Sequence, residues 1–296
     1  MGVALPAKTI LLLKEDQGKS YIVDVMAEQW AASGHRVLCH AGTRHPPAAD
    51  IVFLHVNKTV VPPAYADCVL KYPAAINGKA LNISRPLYST ARLEKGDSYE
   101  GPVIVKTVNN YGGIPERRSV SFMLPLINRL IRRDASRAWR QVATSWRRVD
   151  SLNPLEYPVF DSMHKVPPDV WENKHLMVEK FLPEKEGDVF FVRYWQFFGD
   201  KNMTGRYGAK HPIVKFHRRV TEVRPVEIPE ELADWRKKLH LDYGRFDYVM
   251  HEGRPVVLDA NKTPGFGARS QLSASERREK FADFSAGIEF YLRDKQ

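Results

Sequence analysis

The stretch GRFDYVMHEGRPVVLDANKTPGFG, residues 244–267, decides how the chain is read. Two short apolar runs flank a polar turn, the pattern of a β-hairpin, yet each run carries an aspartate where an apolar residue is expected. With the turn centred on Gly253, Asp247 and Asp259 are equidistant from it and face each other, their Cβ atoms roughly 5 Å apart. Two carboxylates so placed repel, and burial raises the pKa of one of them. Asn261 returns to the same face two residues after Asp259. Two carboxylates and an amide oxygen are hard ligands of the kind Mg²⁺ takes, and a cation between them removes the conflict. The alternative is that both aspartates are solvated ends of an edge strand, which a one-residue change in the turn would produce.

The rest of the chain bounds the answer. Its 296 residues suffice for two or three subdomains with full cores, and 43% hydrophobic and 27% charged residues exclude a disordered or low-complexity protein. The opening MGVALPAKTILLL has too short an apolar run for a membrane span and reads as a first strand. Cys39 and Cys68 are too few and too far apart for a zinc cluster or a disulfide framework, which suits a reducing, cytoplasmic setting. The net charge of +10 is local: nine arginines and two aspartates between Arg117 and Asp150 supply a net +7 of it. That excess is either a footprint for nucleic acid or an acidic substrate, or the solvated face of two amphipathic helices interrupted by Pro125 and Asp134. The second reading puts Arg132 and Arg133 on an outer face and makes nucleic acid an unexpected partner.

Strand, helix, strand, strand over residues 8–13, 19–33, 36–40 and 49–56 predicts a small open α/β domain, with Gly34 ending the helix. The turn after its first strand, KEDQGKS, has a single glycine, so a dinucleotide fingerprint is absent. A turn-rich connector places a boundary near Arg85, and PVIVK at 102–106 is the next strand. TVNNYGGIPE follows, where Gly112 and Gly113 permit positive φ and close backbone approach, as a hairpin turn or as a phosphate-facing loop beside Lys106. LMVEKFL and VFFVRYWQFF are two further strands across the acidic connector PEKEGD, and Arg193 within the second must either snorkel to water or meet an anion. TGRYGAKHPIVKFHRR, residues 204–219, presents Arg206, Lys210, His211, Lys215, His217, Arg218 and Arg219, as a solvated loop or as a wall for an anionic acceptor.

GRFD, a hairpin and VLDANKTPG together resemble the C-terminal metal-binding signature of the ATP-grasp superfamily, in particular its D-alanine ligase-like, carboxylate–amine ligase branch. The resemblance implies a mixed α/β (α+β) ATP-grasp fold. An N-terminal open α/β domain (1–85) would precede an ATP-grasp domain (86–296) whose two α+β subdomains, 86–182 and 183–296, clamp ATP. It makes Asp247, Asp259 and Asn261 ligands of magnesium, or of manganese in its place, and Arg245 the arginine that stabilises the transferring phosphoryl group. VIVKTVNNYGG resembles the strand, lysine and glycine-rich loop over the triphosphate, so Lys106, Gly112 and Gly113 become phosphate contacts. VEKFLPEKEGD resembles the hinge, with Glu179, Lys180, Phe181 and Leu182 offering backbone to adenine and Glu186, or Asp188, holding ribose. Arg85 and Arg92 are loose candidates for a second phosphate cation. The implied reaction is ATP-dependent activation of a carboxylate as an acyl phosphate for attack by an amine; phosphorylation of an anionic small molecule such as a polyol phosphate is the alternative. An anionic small-molecule or peptide acceptor and no membrane partner are expected, and a homodimer is compatible with the sequence.

Overall fold

A computed structural model describes residues 6–16, 21–120, 146–266 and 272–293. Most of the two helices expected across the arginine-rich segment, including Arg132 and Arg133, lies outside the described residues.

Strand β1 (Thr9–Lys14) runs parallel between β2 (Arg36–Ala41) and β3 (Ile51–His55), and the two-residue β4 (Ala75–Ile76) extends the sheet beyond β3. Helix α1 (Ile22–Ala32) covers one face and α2 (Pro63–Val69) the other. Burial on both faces explains why β1 and β3 read as unbroken apolar runs rather than alternating ones.

Residues 84–183 form a compact unit of their own. In it β5 (Arg92–Leu93), β6 (Val103–Thr107), β7 (Val159–Phe160) and β8 (Leu176–Lys180) make an antiparallel sheet in the order β5-β8-β6-β7. The glycine-rich segment after β6 is not a hairpin. Asn110–Gly113 is a single tight turn that feeds helix α3 (Ile114–Val120), and β6 takes its partners from β7 and β8.

Residues 184–296 join residues 1–83 in the other unit. Strands β9 (Glu184–Glu186), β10 (Val189–Phe198), β11 (Lys201–Ala209), β12 (Tyr243–His251) and β13 (Arg254–Asn261) form an antiparallel sheet in the order β11-β10-β12-β13, with β9 pairing with β10. Phe198 and Tyr243, with Phe284 and Ile288, complete the apolar layer over β1, β3 and α1. Asn77 stitches the same two segments. Its Oδ1 accepts from the N–H groups of Asp242 (2.9 Å) and Tyr243 (3.0 Å), and its Nδ2 donates to the Tyr243 carbonyl at 2.9 Å. Asn77 does this from a left-handed backbone (φ 56°) that asparagine tolerates better than most residues.

Candidate functional site

The hairpin β12–β13 turns at Glu252 and Gly253, whose φ values of 49° and 78° are both positive, as two-residue turns of the I′ kind require. The turn is therefore centred half a residue earlier than the sequence reading placed it. Tyr248 pairs with Val257 and His251 with Arg254, a register that, continued, would set Asp247 opposite Leu258 and turn Asp259 to the other face. A bulge at Leu258 corrects it. Past the bulge Asp247 faces Asp259 and Arg245 faces Asn261, so the four expected residues occupy two adjacent rows of one sheet face.

The rows extend into β10, where Tyr194 lies beside Asp247 and Gln196 beside Arg245. Arg245 donates from Nε (2.8 Å) and Nη2 (2.6 Å) to Oδ1 of Asp247, and its guanidinium lies 4.3 Å from the centre of the Tyr194 ring. That ring crosses Gly205 of β11; a Cβ there would stand 2.5 Å from Tyr194 Cε1, so only glycine lets the tyrosine reach the arginine. Burial pushes the Arg245 guanidinium down, but the Asp247 carboxylate outweighs it and holds the group charged above its ordinary range. Burial, then the charge of Asp247, pushes the neighbouring Tyr207 hydroxyl up, so it stays protonated. Lys280 is pushed down by burial and then by the charges of Arg245 and Arg219, which makes it a further cation close to this face.

In the other unit, Lys106 at the end of β6 is buried and its Nζ lies 2.7 Å from Oε2 of Glu179 on β8. Burial pushes the Glu179 carboxyl up; Lys106 and then Arg85 more than reverse this and hold it below its ordinary value. Arg85, itself buried, donates from Nε to the Thr107 carbonyl at 3.2 Å. Of the two loose arginine candidates, Arg85 thus stands with Lys106, whereas Arg92 is exposed and pairs with Glu94 at 2.6 Å.

No family model matches the sequence, and no curated protein matches it. Among solved structures, the ATP-grasp ligase PsnB complexed with minimal precursor superposes on 94% of this chain and 99% of its own, at 12% identity and a TM-score of 0.50. The chain has the ATP-grasp fold. D-alanine–D-alanine ligase from Bacillus anthracis covers 97% of this chain and 96% of its own at 13% identity, with a TM-score of 0.48. The RimK domain ATP-grasp protein from Sphaerobacter thermophilus covers 96% and 100% at 12% identity, with a TM-score of 0.47.

Within the ATP-grasp fold the remaining expected residues are placed as follows. Gly112 and Gly113 are buried, with φ of 66° and 72°, and a Cβ on them would come within 2.0 Å of the Leu152 carbonyl and 2.7 Å of the Asp150 carbonyl. Close packing against residues 150–152 therefore demands both glycines, whatever their N–H groups bind. In the segment expected to be the hinge, the N–H of Lys180 donates to Ala91 (2.7 Å) and that of Phe181 to Pro102 (2.8 Å), so those two donors are already engaged in holding the sheet. Glu186 is exposed and ion-paired with Arg206, and Asp188 lies in the exposed turn between β9 and β10. Arg193 meets an anion: Glu184 accepts from it at 2.9 Å, from Arg206 at 2.8 Å and from the Met250 N–H at 3.1 Å. Arg206 is thereby balanced within the fold, and the first part of the 204–219 segment is strand rather than loop.

The residues fit a magnesium ion. A backbone N–H, that of Thr263, donates to the Asn261 side chain at 2.8 Å and so identifies the oxygen of that amide, which has a second lone pair for a cation. Arg245 occupies Oδ1 of Asp247, and Oδ2 is the oxygen left for a metal. Among the described residues no group of three His, Cys, Asp or Glu side chains is placed to hold a metal; the expected set has two carboxylates, its third donor being the Asn261 amide. No helix among the described residues is long and apolar enough to cross a membrane.

Proposed function

We propose that the protein is a Mg-ATP-dependent ligase that activates a carboxylate as an acyl phosphate and transfers the acyl group to an amine. The observation that carries this reading is the bulged register, which brings Asp247, Asp259, Asn261 and Arg245 onto one face of a chain with the ATP-grasp fold. Asp247, Asp259 and Asn261 would hold magnesium, which when bound neutralises charge on the phosphates. Lys106, with Arg85 beside it, would contact the phosphates, and Gly112 and Gly113 would shape the loop that covers them. Glu179, Lys180, Phe181 and Leu182 would border adenine, Leu182 being the hinge N–H not drawn into the bonds to Ala91 and Pro102. Glu186 would turn from Arg206 to reach ribose.

In the reaction, a carboxylate oxygen attacks the γ-phosphorus, the bond to the β,γ-bridging oxygen breaks, and ADP leaves. The amine nitrogen then attacks the acyl carbon, the carbon–oxygen bond to phosphate breaks, and phosphate leaves as the nitrogen gives up a proton. Arg245, held charged by Asp247 and stacked on Tyr194, would face the transferring oxygens. Lys280 stands near enough to Arg245 to feel its charge, and that second cation supports an anionic acceptor.

Asp259→Ala is expected to remove magnesium-dependent ATP turnover while the thermal midpoint stays within a few degrees of wild type. Unchanged turnover in the folded variant, with an acceptor that the wild type uses, would contradict the metal assignment.

A further inference from the structure

Thr263 lies two residues beyond Asn261 and is buried. Its N–H donates to Asn261 Oδ1 at 2.8 Å, and its hydroxyl oxygen stands 3.5 Å from the same atom. The hydroxyl has a better acceptor in Asn57 Oδ1, at 3.0 Å. One hydroxyl carries one proton, and the shorter contact is the hydrogen bond. Asn57 follows β3, and its Nδ2 donates to the Tyr21 hydroxyl at 3.2 Å. The Tyr21 ring in turn lies edge-on to His55, the last residue of β3, with centroids 4.6 Å apart. A continuous set of contacts thus joins the Asn261 amide to the carboxyl end of the parallel sheet. The flanking residues are held by the same N-terminal segments. Lys262 Nζ donates to the Ala80 carbonyl at 3.3 Å, and the Pro264 carbonyl accepts from the Ile22 N–H at 3.4 Å.

Asn261 is the last residue of β13, so its amide sits where the strand gives way to the turn that carries Thr263. We propose that Thr263 and Asn57 are positioning residues for the metal site, fixing the Asn261 amide so that its unused lone pair faces the cation. The proposal rests on the reading of the hairpin as a metal site. Outer partners of this kind typically change metal affinity by 10- to 100-fold when removed. Thr263→Val deletes the hydroxyl link and keeps both the shape and the backbone N–H.

The test is Mn²⁺ binding in the presence of ADP, followed by the loss of the free-ion electron paramagnetic resonance signal, with thermal midpoints recorded for each variant. Thr263→Val is expected to weaken Mn²⁺ about 10-fold, Thr263→Ser to restore it, and Asn57→Ala to weaken it to a similar degree. The double variant Thr263→Val, Asn57→Ala is expected to be no weaker than either single one, because both cut the same link. Wild-type Mn²⁺ affinity in folded Thr263→Val and Asn57→Ala overturns the proposal. Asp259→Ala separates the two levels: if it loses Mn²⁺ while Thr263→Val keeps it, only the positioning role fails, and if it also keeps Mn²⁺, the metal site itself is wrong.

Discussion

Lys106 meets Glu179 at 2.7 Å with both side chains withdrawn from water, so the lysine has a structural partner as well as its proposed phosphate. Removing one member of a buried ion pair strands the other, at a cost of about 3 kcal/mol; Arg85 close by limits the loss. Lys106→Met is therefore expected to lower stability by about that amount, measured by urea unfolding, besides weakening ATP. The pH dependence has a definite sign. Glu179 is held below its ordinary value, so its contribution is present above the ordinary carboxylate range and is lost as pH falls through the depressed one. In Lys106→Met the largest lowering charge is gone and burial raises the carboxyl, so the loss of stability that Glu179 causes on acidification must shrink or reverse. A pH profile parallel to wild type would show that Glu179 does not depend on Lys106. Of these residues, the two aspartates were legible in the sequence because strand alternation exposes a misplaced charge. Arg85 was only a loose candidate, since it sits in a connector whose path no periodicity predicts. Thr263 left a weak signal, an Asn followed two residues later by a hydroxyl residue in a turn.

At the scale of the element, the hairpin owes the opposition of its two aspartates to the bulge at Leu258. The sequence suggested the opposition of Asp247 and Asp259 from a turn centred on Gly253, whereas the structure reaches the same opposition by a Glu252–Gly253 turn and a one-residue bulge. Those two errors cancel in the reading because each shifts the register by one; neither a turn's centre nor a bulge leaves a mark in hydrophobic alternation. Deleting Leu258 should continue the unbroken register, turn Asp259 away and abolish magnesium-dependent turnover. Leu258→Ala keeps the extra residue and should retain turnover, as the side chain is only half-buried. Equal activity in both variants would show that the bulge is incidental. The long parallel strands were legible for the opposite reason: TILLLK and IVFLH are apolar on both faces, which few settings other than a covered parallel sheet accept. The glycine-rich turn was misleading as a hairpin because Asn and Gly mark left-handed backbone, and Tyr111, Gly112 and Gly113 use that backbone to enter a helix.

At the scale of the whole chain, residues 1–83 and 184–296 share one apolar core. Phe198 packs against Phe53 at 5.8 Å, Trp30 at 6.0 Å and Tyr243 at 5.7 Å between ring centres, so the sheet that carries Asp247 and Asp259 and the N-terminal sheet are each incomplete without the other. Phe198→Ala is expected to cost about 3–5 kcal/mol, and a fragment beginning at Ser84 should lose its near-ultraviolet dichroism and bind hydrophobic dyes rather than survive as a folded catalytic core. A soluble, cooperatively unfolding fragment would contradict this. Ligase chemistry itself is tested most directly by the products. With magnesium, ATP, and a panel of anionic carboxylates each paired with amines, the wild type is expected to yield ADP, inorganic phosphate and amide in equal amounts, and Asp259→Ala none of them. ADP formed with a phosphorylated acceptor and no free phosphate would contradict the ligase reading and make the enzyme a kinase on the same fold.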